Sequence, residues 1–294
     1  MLLCMKMASP FRNAGAALVA LAILVIAATL FAGCTGTGTE QQQTAEPQTI
    51  SVTGSTTVLP VAQAAADAYM NMDSLADIQV SGGGSSVGVQ AVGEGTAEIG
   101  MASRDLKAAE KEKYPALVEH VVAIDGIAVI VHPGNQVASL TLDQVRGIYN
   151  GSITSWNAVG GSAGEIVVVG RDSASGTREY FHESVMQKED FTKVQLEKNS
   201  NGAVKQTVAQ TPGAIGYVGI GYLDGTVTGV PLVVNGKTVA PTLEAVKSKE
   251  YPVARSLSMI TVGEPTGLAK DYIDFILSSD GQAIVEEEGF VRID

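Results

Sequence analysis

The chain has 294 residues, of which 45% are hydrophobic and 17% charged, and its formal net charge is −12. The apolar content excludes a disordered chain. The acidic balance argues against a duplex nucleic acid as partner and against polybasic attachment to anionic lipid.

Lys6 and Arg12 precede an uncharged, largely apolar stretch from Ala14 to Gly33, followed by Cys34. A basic start, an apolar middle and small residues before a cut site read as an export signal over residues 1–34. The Ala32-Gly33-Cys34 ending resembles a lipoprotein signal, in which Cys34 is lipidated and becomes the first residue. The alternative is an uncleaved helix, since about twenty apolar residues span a bilayer core of roughly 30 Å. Either way the remainder is extracytoplasmic, anchored to the outer face of the cytoplasmic membrane. Cys4 and Cys34 are the only cysteines. The exported part therefore has no disulfide, no cysteine-rich metal site and no cysteine nucleophile. Residues 35–48 are almost devoid of apolar side chains and read as a flexible linker.

From Thr49 the pattern alternates short apolar strands with helical segments. Ile50–Thr53 reads as a strand and Val58–Met70 as a helix. Ile78–Val80 is a second strand and Ala97–Met101 a third. Val121–Ile124 and Ile127–Val131 read as two more. Thr141 and Gln144 have capping-box spacing at the start of a helix running to about Tyr149. Ile166–Val169 is a strand, followed by a helix over Thr177–Met186. Asn235-Gly236 joins Val230–Val234 to Lys237–Val239 as a hairpin with a type I′ turn. Helices close the chain at Asp271–Leu277 and Gln282–Glu288. This alternation predicts an α/β fold with mostly parallel sheets.

Three clusters of glycine and hydroxyl residues each sit between a strand and a helix. They are Gly54-Ser55-Thr56-Thr57, Gly82-Gly83-Gly84-Ser85-Ser86, and Gly170-Arg171-Asp172-Ser173-Ala174-Ser175-Gly176-Thr177. In open α/β sheets ligands bind beyond the carboxyl ends of strands. A helix start offers unpaired N–H groups and partial positive charge, which suit an anion. Such residues are also ordinary helix caps, so one cluster alone would carry little. Three of them, one with a forked and permanently charged Arg171, point to an oxyanion. Ala102-Ser103-Arg104-Asp105 is a fourth strand end. Ser103 and Arg104 are donors, whereas Asp105 would repel an anion unless the anion carries a proton. Hydrogen phosphate has such a proton and sulfate does not. Asp105 could equally pair with Arg104 or Lys107, or cap the next helix.

These residues resemble the phosphate-binding lipoproteins of phosphate-uptake ABC transporters. Gly54-Ser55-Thr56-Thr57-Val58, Ser81-Gly82-Gly83-Gly84-Ser85-Ser86 and Ala102-Ser103-Arg104-Asp105 are similar to that family's first three binding loops. Arg171 with Ser175-Gly176-Thr177 is the most specific match, and the likeness spans residues 49–294. The resemblance implies a two-lobed periplasmic-binding-protein-like fold of type II, each lobe a mostly parallel sheet flanked by helices. It implies lobe 1 over 49–124 plus 250–294 and lobe 2 over 125–249. The crossovers would lie near Asp125–Ile127 and Tyr251–Val253. The ligand set it implies is Ser55, Thr56, Ser85 or Ser86, Ser103, Arg104 or Asp105, Arg171, Ser175, Gly176 and Thr177. Some members carry Asp where this chain has Arg104, and Asp172 would orient Arg171. The implied partners are inorganic phosphate, ABC permease subunits and the membrane, with no cofactor, no metal and no nucleic acid, for a monomer that performs no covalent chemistry.

Other readings are a sulfate or molybdate binder and a phosphate sensor or scavenger without a transporter. Gly84-Ser85-Ser86-Val87-Gly88 also fits a Gly-x-Ser-x-Gly nucleophile elbow, so a hydrolase using Ser86 is a further one. It would need one of His120, His132 or His182.

Overall fold

The structure is a computed structural model that describes residues 46–294. The export signal, Cys34 and linker residues 35–45 lie outside the described residues. Gln48, read as the end of the linker, is already the first residue of a strand.

The described chain begins with β1 (Gln48–Gly54), α1 (Leu59–Met72), β2 (Ala76–Gly82), α2 (Ser85–Gly93), β3 (Ile99–Ala102), α3 (Ala108–Lys113) and β4 (Leu117–Val131). It continues through β5 (Leu140–Thr141), α4 (Leu142–Tyr149), β6 (Val167–Arg171), α5 (Gly176–Ser184), β7 (Leu196–Lys198), α6 (Asn201–Gln210) and β8 (Ala214–Gly219). The last elements are β9 (Thr228–Gly229), β10 (Leu232–Val234), β11 (Lys237–Val239), α7 (Leu243–Lys247), β12 (Ala254–Val262), α8 (Gly267–Leu277) and α9 (Ser279–Glu287).

Local chemistry accounts for many of these boundaries. In β1, Ile50 and Val52 point into the core while Ser51 and Thr53 face outward, the period of a half-buried strand. In α1, Pro60 sits in the first turn, where its missing N–H costs nothing. Val61, Ala62, Ala65 and Ala66 form one buried face of that helix, as helical spacing requires. The Thr141–Gln144 capping box is present at the start of α4. Asn235 and Gly236 both have positive φ, as a type I′ hairpin turn requires.

The main sheet runs β2-β1-β3-β12-β4-β8-β6-β7, and a small sheet runs β11-β10-β5. β2, β1 and β3 are mutually parallel, as are β7, β6 and β8. β12 and β4 lie between these two parallel sets and run antiparallel to their neighbours. The two strands expected over 121–124 and 127–131 are one, β4. Asp125 and Gly126 do not interrupt it, because the Asp125 carboxylate is satisfied inside the protein. β4 pairs with β12 from Leu117 to Gly126, then with β8 from Ile127 onward. β12, which sequence reading did not single out, places Arg255 opposite Asp125 at this handover.

Two large apolar clusters flank the handover. One is drawn from segments within 50–123 and 257–290. The other is drawn from segments within 127–253, together with Val291. The second is organised by aromatic rings: Phe181 stacks on Tyr217 with centroids 4.1 Å apart, and Tyr149 meets both edge-on. The Tyr217 hydroxyl accepts from the Arg171 amide at 3.3 Å, so this core reaches the end of β6. Phe181 is fully buried. Phe181→Ala should therefore lower stability by about 3–5 kcal/mol, read by urea unfolding.

Candidate functional site

The strand ends and helix starts singled out by sequence converge beside the handover. Strand β1 ends at Gly54, which has a positive φ and whose Cβ position is blocked by the Met101 carbonyl. That backbone conformation is closed to most side chains. The chain turns there, the Ser55 amide donates to Met101 O at 2.9 Å, and the Ser55 hydroxyl accepts from the Thr57 amide at 3.2 Å. Thr56 and Thr57 are thereby presented to the elements of the other apolar cluster.

Arg171, the last residue of β6, is 1% exposed. Its Nε donates to Lys198 O at 3.2 Å, and Nη2 donates to Asn199 O at 3.2 Å and to Thr56 Oγ1 at 3.3 Å. Nη1 is buried with no partner among the described residues. Burial pulls this guanidinium below its ordinary pKa. The expectation that Asp172 orients Arg171 is not met. The backbone carbonyls of residues 198 and 199 do so, and Asp172 Oδ1 is itself unpartnered among the described residues.

The hydroxyl directions follow from counting lone pairs. Asn201, fully buried at the start of α6, was not singled out from the sequence. Its Oδ1 accepts from the Gly219 amide, which turns Nδ2 toward the threonines. Nδ2 donates to Thr56 Oγ1 at 3.1 Å and to Thr57 Oγ1 at 2.9 Å. Thr56 Oγ1 thus accepts from Asn201 and from Arg171, and its own hydrogen is left to donate elsewhere.

Arg255 is the second residue that sequence reading missed. Its Nε and Nη2 donate to Asp125 Oδ2 at 3.1 and 2.8 Å, and Nη1 donates to Ser103 O at 2.8 Å. Nη2 also reaches Thr57 Oγ1 at 3.2 Å and Thr177 Oγ1 at 3.0 Å. Burial pushes the Asp125 carboxyl up and the Arg255 guanidinium down, each toward its uncharged form, and their pairing opposes both shifts. A charged side chain inside an otherwise apolar strand was the signal available for Arg255. For Asn201 it was a Ser-Asn-Gly helix start that repeats the logic of the other three clusters.

Thr177 Oγ1 lies 2.9 Å from Thr57 Oγ1. Ser175 caps α5 by accepting from the Arg178 amide at 3.1 Å. Gly176 and Thr177 open α5, and first-turn amides have no preceding turn to bond with. Gly176 is required there, because a Cβ would overlap the Ser85 hydroxyl. Ser85 is fully buried, its Oγ accepts from the Ser103 amide at 3.1 Å, and it lies 3.3 Å from Ser103 Oγ. Ser55, Thr56, Ser85, Ser103, Arg171, Ser175, Gly176 and Thr177 are thus brought together.

Arg104, Asp105 and Ser86 are not part of this convergence. Both Nη atoms of Arg104 donate to the Glu110 carboxylate, at 2.8 and 2.7 Å, and Nε lies 2.7 Å from Glu179 Oε2. Burial alone would raise the Glu110 carboxyl, but the Arg104 bonds and the Lys107 amide hold it below its ordinary value. Arg104 is therefore spent on two carboxylates. Asp105 is exposed, and only its backbone carbonyl is engaged, by Arg104. The Ser86 hydroxyl accepts from Arg104 at 3.2 Å, and no histidine is hydrogen-bonded to it among the described residues. His120 bonds Thr261, His132 bonds the Gly134 amide, and His182 lies beside Phe191. No cluster of three metal-ligating side chains exists among the described residues.

The arrangement is a set of donors of both charged and neutral kind, drawn from both sides of the handover, and among the described residues no carboxylate forms an ion pair with Arg171. Residues 38–280 match the PBP superfamily domain. The phosphate-binding protein PstS of Bacillus subtilis (strain 168) is 38% identical over 248 residues, covering 83% of this chain and 80% of its own length. PstS of Borreliella burgdorferi is 31% identical, covering 83% of this chain and 90% of its own. Among solved structures, a phosphate ABC transporter substrate-binding protein from Clostridium perfringens with bound phosphate aligns at a TM-score of 0.79 and 39% identity. It covers 84% of this chain and all of that one. An ABC-type phosphate transport receptor from Vibrio cholerae aligns at 0.68 and 29%, covering 83% and 100%.

The chain belongs to the PBP superfamily, within it to the family of the phosphate-binding proteins PstS. Its fold is the two-lobed, type II periplasmic-binding-protein architecture, and β4 is the strand that pairs first with β12 and then with β8.

The position of Asp105 leads to a direct expectation. Asp105→Asn should leave phosphate affinity, and its ratio to sulfate affinity, unchanged within about twofold, which is under about half a kcal/mol. Titration calorimetry with both anions checks it.

Proposed function

We propose that this chain is an extracytoplasmic receptor that captures inorganic phosphate between its two lobes and delivers it to an ABC permease. The observation that carries the reading is Arg171: a buried cation that, among the described residues, has one nitrogen unpartnered and no carboxylate ion pair, beside a Thr56 hydroxyl whose own hydrogen is left to donate. A buried charge without a partner is costly, and a tetrahedral oxyanion is a partner that matches a guanidinium fork and helix-start amides together. Ser55, Thr56, Ser85, Ser103, Arg171, Ser175, Gly176 and Thr177 form the phosphate set in this reading. The family of the relatives supports phosphate over sulfate or molybdate, and a binding role over hydrolysis.

The lobes are taken as 49–124 plus 250–294 and 125–249, and opening separates them about the paired segments of β4 and β12. Closure brings Thr56 to Arg171 and Thr57 to Thr177, so an anion bound at both lobes stabilises the closed form. Anchoring through Cys34 or an uncleaved N-terminal helix keeps the monomer near its permease. The cycle needs no cofactor and breaks no covalent bond.

The test is calorimetry with phosphate, sulfate and molybdate on the full chain in detergent, freed of carried-over ligand by unfolding and refolding. Phosphate should bind and sulfate should give no heat at equal concentration. Arg171→Ala should weaken phosphate binding by at least about a hundredfold, since a desolvated charge-assisted pair is worth a few kcal/mol. Phosphate affinity within threefold of the parent would remove Arg171 from the site.

A further inference from the structure

We infer that Arg255 is a positioning residue for the anion site: it fixes the Thr57 and Thr177 hydroxyls so that Thr177 can only donate toward the ligand. The inference rests on the phosphate-binding reading above and goes beyond it, because each nitrogen of Arg255 is already bonded within the protein. Its Nε and Nη2 are held by Asp125 and its Nη1 by Ser103 O. Nη2 carries two hydrogens; one serves Asp125, and the other is shared between Thr57 at 3.2 Å and Thr177 at 3.0 Å as a three-centre bond. Arg171, by contrast, keeps Nη1 free among the described residues. The two buried arginines of this site therefore divide the work.

The direction of each hydroxyl can be counted. Thr57 Oγ1 accepts from Asn201 Nδ2 at 2.9 Å and from Arg255 Nη2 at 3.2 Å. Those two bonds fill both of its lone pairs. The Thr57 hydrogen must then go to Thr177 Oγ1, 2.9 Å away. Thr177 Oγ1 accepts from Thr57 and from Arg255 at 3.0 Å, so its lone pairs are filled as well. Only the Thr177 hydrogen is left, and it cannot turn back into this network. A hydroxyl that is free to rotate loses part of its hydrogen bond to an anion in being ordered. Here that order is imposed in advance by a charge that stays in place, which is preorganisation in the ordinary sense.

The placement of Arg255 explains why it can do this for two lobes at once. It stands on β12 opposite Asp125 of β4, at the residue pair next to which β4 changes partners. Thr57 comes from the turn after β1 and Thr177 from the first turn of α5. Asp125 balances the charge of Arg255, and the Ile220 amide holds its second oxygen at 3.0 Å. The side chains of Asp125 and Arg255 are 0% and 1% exposed, so water does not compete for these bonds.

A double-mutant cycle on phosphate binding separates positioning from bulk stability. Thr177→Val is made in the parent chain, in an Asp125→Asn/Arg255→Gln background and in a Thr57→Val background. The paired swap avoids stranding a buried charge, and Thr57→Val leaves the ion pair intact, so it carries the cycle if the swap does not fold. Thr177→Val should weaken phosphate binding roughly ten- to hundredfold in the parent, the worth of one hydrogen bond to a charged group. In either background it should cost less than about threefold, because the hydroxyl is no longer preset. The same factor in every background would overturn the positioning role while leaving phosphate binding standing. A parent chain that binds neither phosphate nor sulfate would instead overturn the phosphate reading, and this inference with it.

Discussion

A guanidinium buried to 1% exposure without a carboxylate against it is the constraint on which the rest of this site depends. Three of its contacts, the carbonyls of Lys198 and Asn199 and the Thr56 hydroxyl, are neutral acceptors. They satisfy hydrogen bonds without cancelling the charge. Burial pulls its pKa down, because the charged form is poorly solvated there. A bound anion reverses that penalty, and the unpartnered Nη1 marks where it would sit. The chain as a whole is acidic at −12. Fields from exposed charges, however, are screened beyond a Debye length of roughly 8 Å in physiological salt. The local donors outweigh a distant surface.

Two other arginines show what the site excludes. Arg104 is claimed by Glu110 and Glu179, the latter on α5, so it ties the segment after β3 to the helix that begins at Gly176. Lys107 joins the same Glu179 carboxylate at 2.8 Å. Arg255 is claimed by Asp125. Of these three arginines only Arg171 lacks an ion pair with an acid among the described residues, which is what the proposed phosphate reading rests on. The hydroxyl network follows the same rule at the scale of single hydrogens. Asn201, Arg171 and Arg255 donate to lone pairs of Thr56, Thr57 and Thr177, which leaves these hydroxyls as donors.

The fold makes this possible through β4. Its 15 residues serve first as partner to β12 and then to β8, so one continuous strand joins the two halves of the main sheet. Asp125 sits at the change of partner, fully buried. Further bonds link the segments of the two apolar clusters: the Tyr222 hydroxyl on the Thr56 carbonyl and the Ser86 amide on Ala174 O at 3.1 Å. The Tyr180 hydroxyl bonds Ala254 O at the start of β12.

Much of this was legible in one dimension, because some signals are local. Alternation in β1, the Thr141 capping box, the Asn235-Gly236 turn and the hydroxyl clusters at strand ends depend on neighbours a few residues away, and all are present in the structure. Arg171 stood out because a charge in a glycine and hydroxyl turn has few structural uses. What the sequence could not determine were the choices made by partners far along the chain. Whether Arg104 or Arg171 faces the ligand depends on which finds a carboxylate, and Glu179 lies seventy-five positions from Arg104. Asp125 gave no sign of ending up fully buried, because its partner Arg255 lies 130 residues away on a strand that the pattern did not reveal. Composition, hydrophobic period and cap chemistry determined the α/β class and the places where a ligand could bind. Only the tertiary structure decided which charges are neutralised within the protein and which one is left for the ligand, since electrostatic pairing depends on distance in space.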